Sequence, residues 1–204
     1  MSFEENLKNF RFTDDSRDVF DACLRFAAFL EKGGVKELQI YIDDAFKFYA
    51  AFFGSLLAGA APCVLAKPIL EANLTAVNDE NFLNFLANEP SKRLKFDPQA
   101  KFYLQTSGSS GKSKMIEKSL AQMIKESEYL ADELNFSSQN TFFSSVSHRH
   151  MFGLTFKVFL PLVLGARVIA DELNYPEAIL GLSLANHVFI ASPVLLRTLA
   201  QSPA

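Results

Sequence analysis

The spacing of apolar and polar residues predicts a helix and then a strand near the start of the chain. Apolar side chains recur every three or four positions over residues 19–30, which is the period of an amphipathic helix. Side chains at 13–16 are suited to cap this helix, and Gly33 and Gly34 end it. Residues 35–42 then alternate and are rich in branched side chains, so they predict a strand.

A long uncharged run follows at residues 48–66. Its length is close to the ~20 residues that a membrane-spanning helix needs, so a membrane span is one interpretation. Glycines and Pro62 interrupt the run, however, which favours a buried helix followed by a turn and a strand. We expect the helix at 44–58, capped by Asp43, and the strand at 63–66. Helices that alternate with strands in this way indicate an α/β layer with a parallel sheet.

The same patterns predict further elements along the rest of the chain. These are a short helix at 78–88 with Phe82, Leu83, Phe85 and Leu86 facing inward, strands at 102–105, 115–118, 141–146, 166–170 and 187–190, and helices from 119 onward and at 152–164, 176–184 and 193–199. The predicted fold class is therefore α/β, with a layered, mostly parallel β-sheet and flanking helices.

Composition narrows the class of protein. Of the 204 residues, 49% are apolar, and the net charge is −3, which argues against a nucleic-acid-binding protein and against a disordered acidic chain. Residues 91–118 differ, because they carry seven basic and two acidic side chains and so favour an anionic ligand nearby. Cys23 and Cys63 lack the spacing of a metal site or a disulfide framework, and the N-terminus is not a signal peptide. A reducing, cytoplasmic location is therefore expected.

The stretch from Thr106 to Lys114 contains no large apolar side chain. Its glycines allow successive backbone N–H groups to turn into one concave surface, and its hydroxyl and ammonium groups add donors and positive charge. The candidate phosphate-binding residues are Thr106, Ser107, Gly108, Ser109, Ser110, Gly111, Lys112 and Lys114. The combination suits a polyphosphate, whereas a flexible surface linker is the simpler alternative.

A Walker A loop, G-x-x-x-x-G-K-[ST], is the nearest general motif for this stretch. Gly111, Lys112 and Ser113 match its end, but Thr106 occupies the position of its first glycine. A Walker loop also leads directly into a helix, whereas the helix here is predicted to begin later, after a short strand, with a capping box of Ser119 and Gln122. The predicted order of strand, loop, strand and helix therefore disfavours a P-loop NTPase.

The same residues resemble a signature of the adenylate-forming (AMP-binding) superfamily, T-S-G-[ST]-T-G-x-P-K-G. This superfamily includes acyl-CoA synthetases, nonribosomal peptide adenylation domains and luciferase. The sequence T-S-G-S-S-G-K-S-K-M at 106–115 departs from the signature at Ser110, Ser113 and Met115, where the signature has threonine, proline and glycine. Lys114 matches the lysine of the signature.

A second segment, S-S-V-S-H-R-H-M-F-G-L at 144–154, joins a predicted strand to a predicted helix. His148 and His150 alternate in an extended stretch, so they are expected to face opposite ways, and no nearby cysteine or carboxylate completes a metal site. A structural hydrogen bond is the simpler role for either histidine. The segment resembles the H-x-x-G-L motif of acyl-activating members of the superfamily. That resemblance implies that His150 lies near the acyl carboxylate, with Met151 and Phe152 lining the approach.

The resemblance implies ATP-dependent activation of a fatty or aryl carboxylic acid to an acyl-adenylate, with release of pyrophosphate. Lys114 and His150 are the implied catalytic residues, and Mg²⁺ is implied beside ATP. Coenzyme A or a carrier-protein phosphopantetheine is the implied acceptor of the acyl group. The implied partners are therefore the carboxylic acid, an acyl carrier protein and the chain's own missing C-terminal half, with no nucleic acid and no membrane span.

The resemblance covers nearly the whole chain, but the superfamily's later motifs do not occur before Ala204. It therefore implies that residues 1–204 are an incomplete N-terminal adenylation domain that is inactive alone. Within it, 1–100 is the first α/β subregion and 101–204 the phosphate-loop and acyl-pocket subregion. A non-catalytic nucleotide-binding or partner module remains an alternative, beside the P-loop NTPase.

Overall fold

The structure is a computed structural model that describes residues 1–68, 75–106, 113–175, 179 and 185–201. The helices in these ranges are α1 (Phe3–Asn9), α2 (Val19–Gly33), α3 (Ala45–Ala58), α4 (Leu120–Glu133), α5 (Met151–Gly153), α6 (Leu160–Leu164) and α7 (Pro193–Gln201), with a 3₁₀ helix at Phe82–Phe85 and a π-helix at Leu154–Phe159. The strands are β1 (Glu37–Tyr41), β2 (Ala61–Val64), β3 (Thr75–Asn78), β4 (Lys101–Thr106), β5 (Lys114–Ser119), β6 (Thr141–Ser144), β7 (Arg167–Glu172) and β8 (His187–Ile190). The predicted helix at 176–184 lies outside the described residues, apart from Ile179.

Five strands form one sheet in the order β3-β1-β2-β4-β5. The first four are parallel, and β5 joins β4 as an antiparallel edge strand. Parallel neighbours need a crossover connection, which α3 provides between β1 and β2. The predicted layered, mostly parallel sheet with flanking helices is confirmed. Strand β3 is an addition that the residue pattern did not predict.

The other three strands form a parallel sheet in the order β7-β6-β8. The outer side of β7 contacts a segment near the N-terminus, because Phe12 forms a β-bridge with Val168 and the Thr13 N–H donates to the Val168 carbonyl. Since β4 and β5 complete the first sheet, the change from one sheet to the other falls between β5 and β6. The expected division into subregions 1–100 and 101–204 stays a prediction.

Helix α3 accounts for the uncharged run in the sequence. All of its residues except Lys47 are buried, and it packs against α2 and against strands of both sheets. Gly54 permits the close approach of α2, because a Cβ atom there would lie 2.7 Å from the Cys23 carbonyl oxygen. Each fully buried phenylalanine, such as Phe52, stabilises the fold by about 1.5–3 kcal/mol. Among the described residues, no helix is long and apolar enough to cross a membrane.

The structure corrects the predicted N-terminal caps of α2 and α3. Helix α2 is capped by Asp18, whose carboxylate accepts from the Asp21 N–H, and not by residues 13–16. Helix α3 is capped by Asp44, which accepts from the Lys47 N–H, rather than by Asp43. More than one aspartate precedes each helix. The path of the backbone decides which of them lies close enough to the free N–H groups to cap the helix.

The predicted helix at 78–88 is wrong in extent, because only one 3₁₀ turn forms there. The Asn78 side chain accepts from the N–H groups of Glu80 and Asn81, and this local turn competes with a regular helix. Phe82 is buried as predicted, but Leu83 is 71% exposed. Helix α1, with a capping box of Ser2 and Glu5, was not predicted.

Candidate functional site

The glycine- and serine-rich stretch connects two paired strands. Thr106 ends β4 and Lys114 begins β5, and the two residues face each other in the antiparallel register. The Thr106 hydroxyl donates to the Lys114 carbonyl at 3.3 Å and so closes the base of the connection. The remaining predicted phosphate-binding residues, Ser107, Gly108, Ser109, Ser110, Gly111 and Lys112, lie outside the residues that the structure describes.

The chain continues from this connection as a strand and not as a helix. Strand β5 leads to α4, whose first residue is Leu120. The predicted capping box is present, because the Ser119 hydroxyl accepts from the Gln122 N–H and the Gln122 side chain accepts from the Ser119 N–H. A Walker A loop requires the helix N-terminus at the phosphates themselves. The observed order of strand, connection, strand and helix is therefore not that of a P-loop NTPase.

Gln105 and Ser113 complete this region. We call the four residues Gln105, Thr106, Ser113 and Lys114 the loop base. Gln105 is 8% exposed, and its side-chain oxygen accepts from the Ala66 N–H at 3.1 Å. Its side-chain N–H donates to the Ser113 hydroxyl at 3.4 Å. Lys114 is exposed and forms no ion pair with another described residue. The ammonium group at the start of β5 is therefore available to an anionic ligand.

The second segment, residues 145–153, follows β6 and is here called the histidine segment. His148 is fully buried, and its Nε2 atom lies 2.9 Å from the Ile42 carbonyl oxygen. Burial, and secondarily the charge of Lys157, lowers the pKa of His148 to about 3, so the ring is neutral. Because a carbonyl only accepts, Nε2 carries the proton and donates it to Ile42. The ring also packs on Phe48, with 4.2 Å between ring centroids.

Arg149 provides a second link between the histidine segment and the end of β1. Its Nη2 donates to the Asp43 carboxylate at 2.5 Å, and its guanidinium carbon lies 4.0 Å from the centroid of the Tyr41 ring. A guanidinium over an aromatic face gains a further electrostatic attraction. His148 and Arg149 thus join the chain after β6 to the chain after β1, across more than 100 residues of sequence.

His150 faces away from these contacts. It is exposed, and its side chain forms no hydrogen bond with a described residue. Its backbone is fixed, because its N–H donates to the Ser147 carbonyl at 3.1 Å and its own carbonyl accepts from Leu154 at 2.7 Å. The structure therefore holds His150 at the start of α5 and leaves its imidazole free.

Gly153 allows helix α5 to begin immediately after the histidines. A Cβ atom at this position would lie 2.1 Å from the Ser147 carbonyl oxygen and 3.1 Å from the His148 nitrogen. Heavy atoms do not approach that closely, so only glycine fits without a shift of the backbone. The absence of a side chain lets α5 fold back onto the histidine segment.

A cleft of about 450 Å³ opens beside this region and is lined by carboxylates. Most of them already have partners: Asp14 accepts from the Ala170 and Asp171 N–H groups, Asp15 pairs with Arg17, and Asp44 caps α3. The hydrogen bond from Arg17 lowers the pKa of Asp15. In the described parts of the chain, no group of three or more His, Cys, Asp and Glu could hold a metal ion. This cleft is therefore not assigned a ligand.

The loop base and the histidine segment lie at the same edge of the five-stranded sheet. The loop base lies at the end of β4 and the start of β5, and the histidine segment is bonded to Ile42 and Asp43, which follow β1. The Leu65 N–H, after β2, donates to the Ile40 carbonyl and links the strands between them. Ligands of open α/β sheets bind at the carboxyl ends of the strands, which is this edge.

Comparison with known proteins rests on structure. No protein-family profile matches the chain, and no curated protein matches it by sequence. The o-succinylbenzoate CoA synthetase MenE from Bacillus subtilis, in complex with the acyl-adenylate OSB-AMP, aligns with a TM-score of 0.76 and 14% identity, over 99% of this chain and 64% of that one. A benzoate CoA ligase from Burkholderia xenovorans LB400 aligns with a TM-score of 0.78 and 18% identity, over 100% and 52% of the two chains. The chain has the fold of these CoA synthetases.

Other solved structures agree with this result. ATP-bound MatB from Rhodopseudomonas palustris aligns with a TM-score of 0.76 and 16% identity, over 93% of this chain and 46% of that one. The α/β fold implied by the resemblance to adenylate-forming enzymes is therefore confirmed. This chain spans 64% of the MenE chain and about half of the benzoate CoA ligase. At these identities the likeness establishes the fold, and the role of each residue has to be argued from its own environment.

Sequence reasoning missed the roles of three residues of this site: Gln105, His148 and Arg149. His148 was noted, but its partner Ile42 lies 106 positions away, and no local pattern indicates that pair. The role of Arg149 likewise depends on contacts with Tyr41 and Asp43, which are distant in the sequence. Gln105 did carry a signal, because it is a polar residue that directly follows the apolar run 102–104 and lies next to the connection.

Proposed function

We propose that this chain takes part in the ATP-dependent activation of a carboxylic acid. A carboxylate oxygen bonds to the α-phosphorus of ATP and the bond to the β-phosphate breaks, which gives an acyl-adenylate and pyrophosphate. A thiol then attacks the acyl carbon, AMP leaves, and the thiol proton is released. The proposal rests on one observation: the loop base and the histidine segment lie at the ligand-binding edge of a chain with the CoA synthetase fold.

We assign the contact with the phosphates to Thr106, to residues 107–112 and to Lys114. Negative charge builds up on the departing pyrophosphate, so hydroxyl, backbone N–H and ammonium donors that are already in place lower the barrier. Lys114 supports this role because it is exposed and unpaired with any described carboxylate, next to a closed loop base. MatB, which shares the fold, is known with ATP bound.

We assign His150 to the side of the carboxylic acid. Its backbone is held by Ser147 and Leu154, whereas its imidazole is exposed and can approach a substrate. Phe152 is 49% exposed and packs on Phe156 at 4.8 Å between centroids, which offers an apolar surface for the acyl group. Two of the structural neighbours are named for aryl acids, benzoate and o-succinylbenzoate, and we propose a fatty or aryl acid here.

Mg²⁺ fits this proposal as a companion of ATP rather than as a resident ion. Among the described residues, no cluster of carboxylates, histidines and cysteines has the arrangement of a metal site. Mg²⁺ commonly keeps several waters and binds through nucleotide phosphates with few protein ligands. When bound, the ion supplies positive charge to the phosphates.

The acceptor and the location of the protein are further parts of the proposal. Coenzyme A is favoured because the neighbours are named as CoA synthetases and ligases, and a carrier-protein phosphopantetheine is the alternative. Neither cysteine forms a disulfide within the described part of the chain, which agrees with the cytoplasm. We further propose that residues 1–204 are the N-terminal part of an adenylation domain, with subregions 1–100 and 101–204, and that catalysis needs additional residues.

Pyrophosphate release tests the function directly. The chain is incubated with MgATP and a panel of medium-chain and aryl carboxylic acids, beside a polypeptide extended to the end of its gene. We expect acid-dependent pyrophosphate in the extended protein and at least nucleotide binding by the present chain. If neither protein binds ATP or releases pyrophosphate with any acid, the proposal is wrong.

A non-catalytic partner module is the second candidate. Helix α7 is amphipathic, and its side chains Val194 and Leu196 are 73% and 50% exposed. An uncovered apolar face of this kind often marks an interaction surface. ATP binding without pyrophosphate release from either protein, for every acid tested, would favour this candidate over the enzyme.

A further inference from the structure

The side chain of Gln105 extends the link between β2 and β4 beyond their last paired residues. Strands β2 and β4 are paired in register only up to Val64 and Leu104. Beyond that point the Ala66 N–H donates to the Gln105 side-chain oxygen at 3.1 Å, so a side chain extends the link where the ladder stops. The exit of β2 is thereby held against the exit of β4.

The other half of the same amide reaches the far side of the connection. The Gln105 side-chain N–H donates to the Ser113 hydroxyl at 3.4 Å, and Ser113 immediately precedes Lys114. An amide has a separate acceptor and donor, so one buried group satisfies both partners at once. Because Gln105 is 8% exposed, water competes little for these bonds.

We infer that Gln105 is a positioning residue for nucleotide binding, acting through Ser113 on Lys114. This inference rests on the proposed function and adds a residue to it. A cation on a flexible stem binds a phosphate better when the backbone that carries it is held in place before binding, because less freedom is then lost. The Thr106 hydroxyl fixes the carbonyl of Lys114, and Gln105 fixes the residue before it.

The test is a double-mutant cycle on MgATP affinity, measured by isothermal titration calorimetry. We expect Gln105→Leu to raise the Kd for MgATP about tenfold, since it removes both hydrogen bonds at nearly constant volume. Ser113→Ala removes only one and should raise the Kd about threefold. The double variant should bind as Gln105→Leu does, because the Ser113 hydroxyl acts only through Gln105.

The matched control is Gln99→Leu, the same change at an exposed position before β4, and it should leave the Kd unchanged. Circular dichroism of each variant checks that the fold is retained. If Gln105→Leu does not fold, Ser113→Ala keeps the inference falsifiable, because Ser113 is exposed and its replacement does not disturb the core. An unchanged Kd in Ser113→Ala would overturn the role of Gln105.

The outcomes distinguish a failure of the proposed function from a failure of the role of Gln105. The cycle is run in the present chain or, if only the extended protein binds MgATP, in the extended protein; if neither binds, the proposed function fails and the role of Gln105 fails with it. If the unaltered chain binds but Gln105→Leu binds equally well, only the role of Gln105 is overturned. If the Kd increases of the two single variants multiply in the double variant, the role of Gln105 is also overturned, because Ser113 would then act on the nucleotide independently of Gln105.

Discussion

The two segments of the candidate site are held in different ways. The histidine segment is part of the core: His148 is fully buried, Arg149 is bonded to Asp43, and Gly153 allows a backbone approach that no other residue would permit. The loop base lies at the surface and is held by a few side-chain hydrogen bonds around Gln105. We infer that the first segment is tied to the stability of the fold, whereas the second can be altered with little effect on folding.

The largest effect is expected from Gly153→Ala. The added Cβ would lie 2.1 Å from the Ser147 carbonyl oxygen, so the backbone of the histidine segment has to move. We expect the free energy of unfolding to fall by at least about 3 kcal/mol, or the protein not to fold. Urea denaturation measures this, and a loss below about 1 kcal/mol would show that the segment yields easily.

Gly33→Ala is the control for that change. Its Cβ would lie 3.4 Å from a Val35 methyl group, which is an ordinary contact at the end of α2. Because alanine restricts the unfolded chain more than glycine does, we expect a stability change between zero and a gain of about 1 kcal/mol. A loss similar to that of Gly153→Ala would remove the steric explanation.

The two histidines give the next largest difference. His148→Ala leaves a cavity beside Phe48 and a buried Ile42 carbonyl without its donor, so we expect a loss of about 2–4 kcal/mol in urea denaturation. The same change at the exposed His150 should alter the free energy of unfolding by less than about 0.5 kcal/mol. Equal losses of stability at both positions would contradict the inference that burial of His148 contributes to the stability of the fold.

Stability should also depend on pH through His148. Its pKa is about 3 in the folded protein, whereas an unperturbed histidine has a pKa of 6.5, so below pH 6.5 the unfolded state binds the proton more readily. The free energy of unfolding should therefore be highest above pH 6.5 and fall toward pH 3, with this group contributing up to about 1.4 kcal/mol per pH unit. Urea denaturation from pH 7 to pH 4 measures the slope.

His148→Ala supplies the reference for that slope, because the two proteins share every other titratable group. Subtracting the variant from the unaltered protein isolates the contribution of His148. The two slopes should differ between about pH 6 and pH 4, the range in which the unfolded histidine is protonated and the folded one is not. Parallel slopes would mean that the buried ring accepts a proton without penalty.

The smallest effect on stability is expected at the loop base, from Lys114→Ala. Lys114 is exposed and unpaired among the described residues, so the free energy of unfolding should change by less than about 0.5 kcal/mol. MgATP binding should weaken by about 1 kcal/mol or more, the scale of a charge-assisted contact with phosphate. Calorimetric titration measures this, and unchanged affinity would exclude Lys114 from the nucleotide site.

Lys118→Ala is the matched control on the same strand. Lys118 lies at the far end of β5 and pairs with Glu126 at 3.1 Å, away from the loop base. It should leave MgATP affinity unchanged, while the loss of a partly exposed ion pair changes stability by no more than about 1 kcal/mol. A similar loss of affinity for both lysines would indicate a general effect of charge rather than a contact.

Local chemistry determined much of the fold. The Ser119 capping box, the αL residue Gly34 with φ 62° and the strand at His187–Ile190 are found where the sequence predicted them. These features depend on residues within four or five positions of one another, so a short window of sequence contains all the information. The class of the fold follows from the alternation of such elements.

The sequence by itself determined most helices, most strands and the two segments that are suited to a nucleotide and an acid. Only the tertiary structure decided that His148 is buried and His150 exposed, and that Gln105 spans two strand ends. The physical reason is the same in each case. Burial and long-range hydrogen bonds join residues up to 106 positions apart, and their energies exist only once the sheets and helices have packed together.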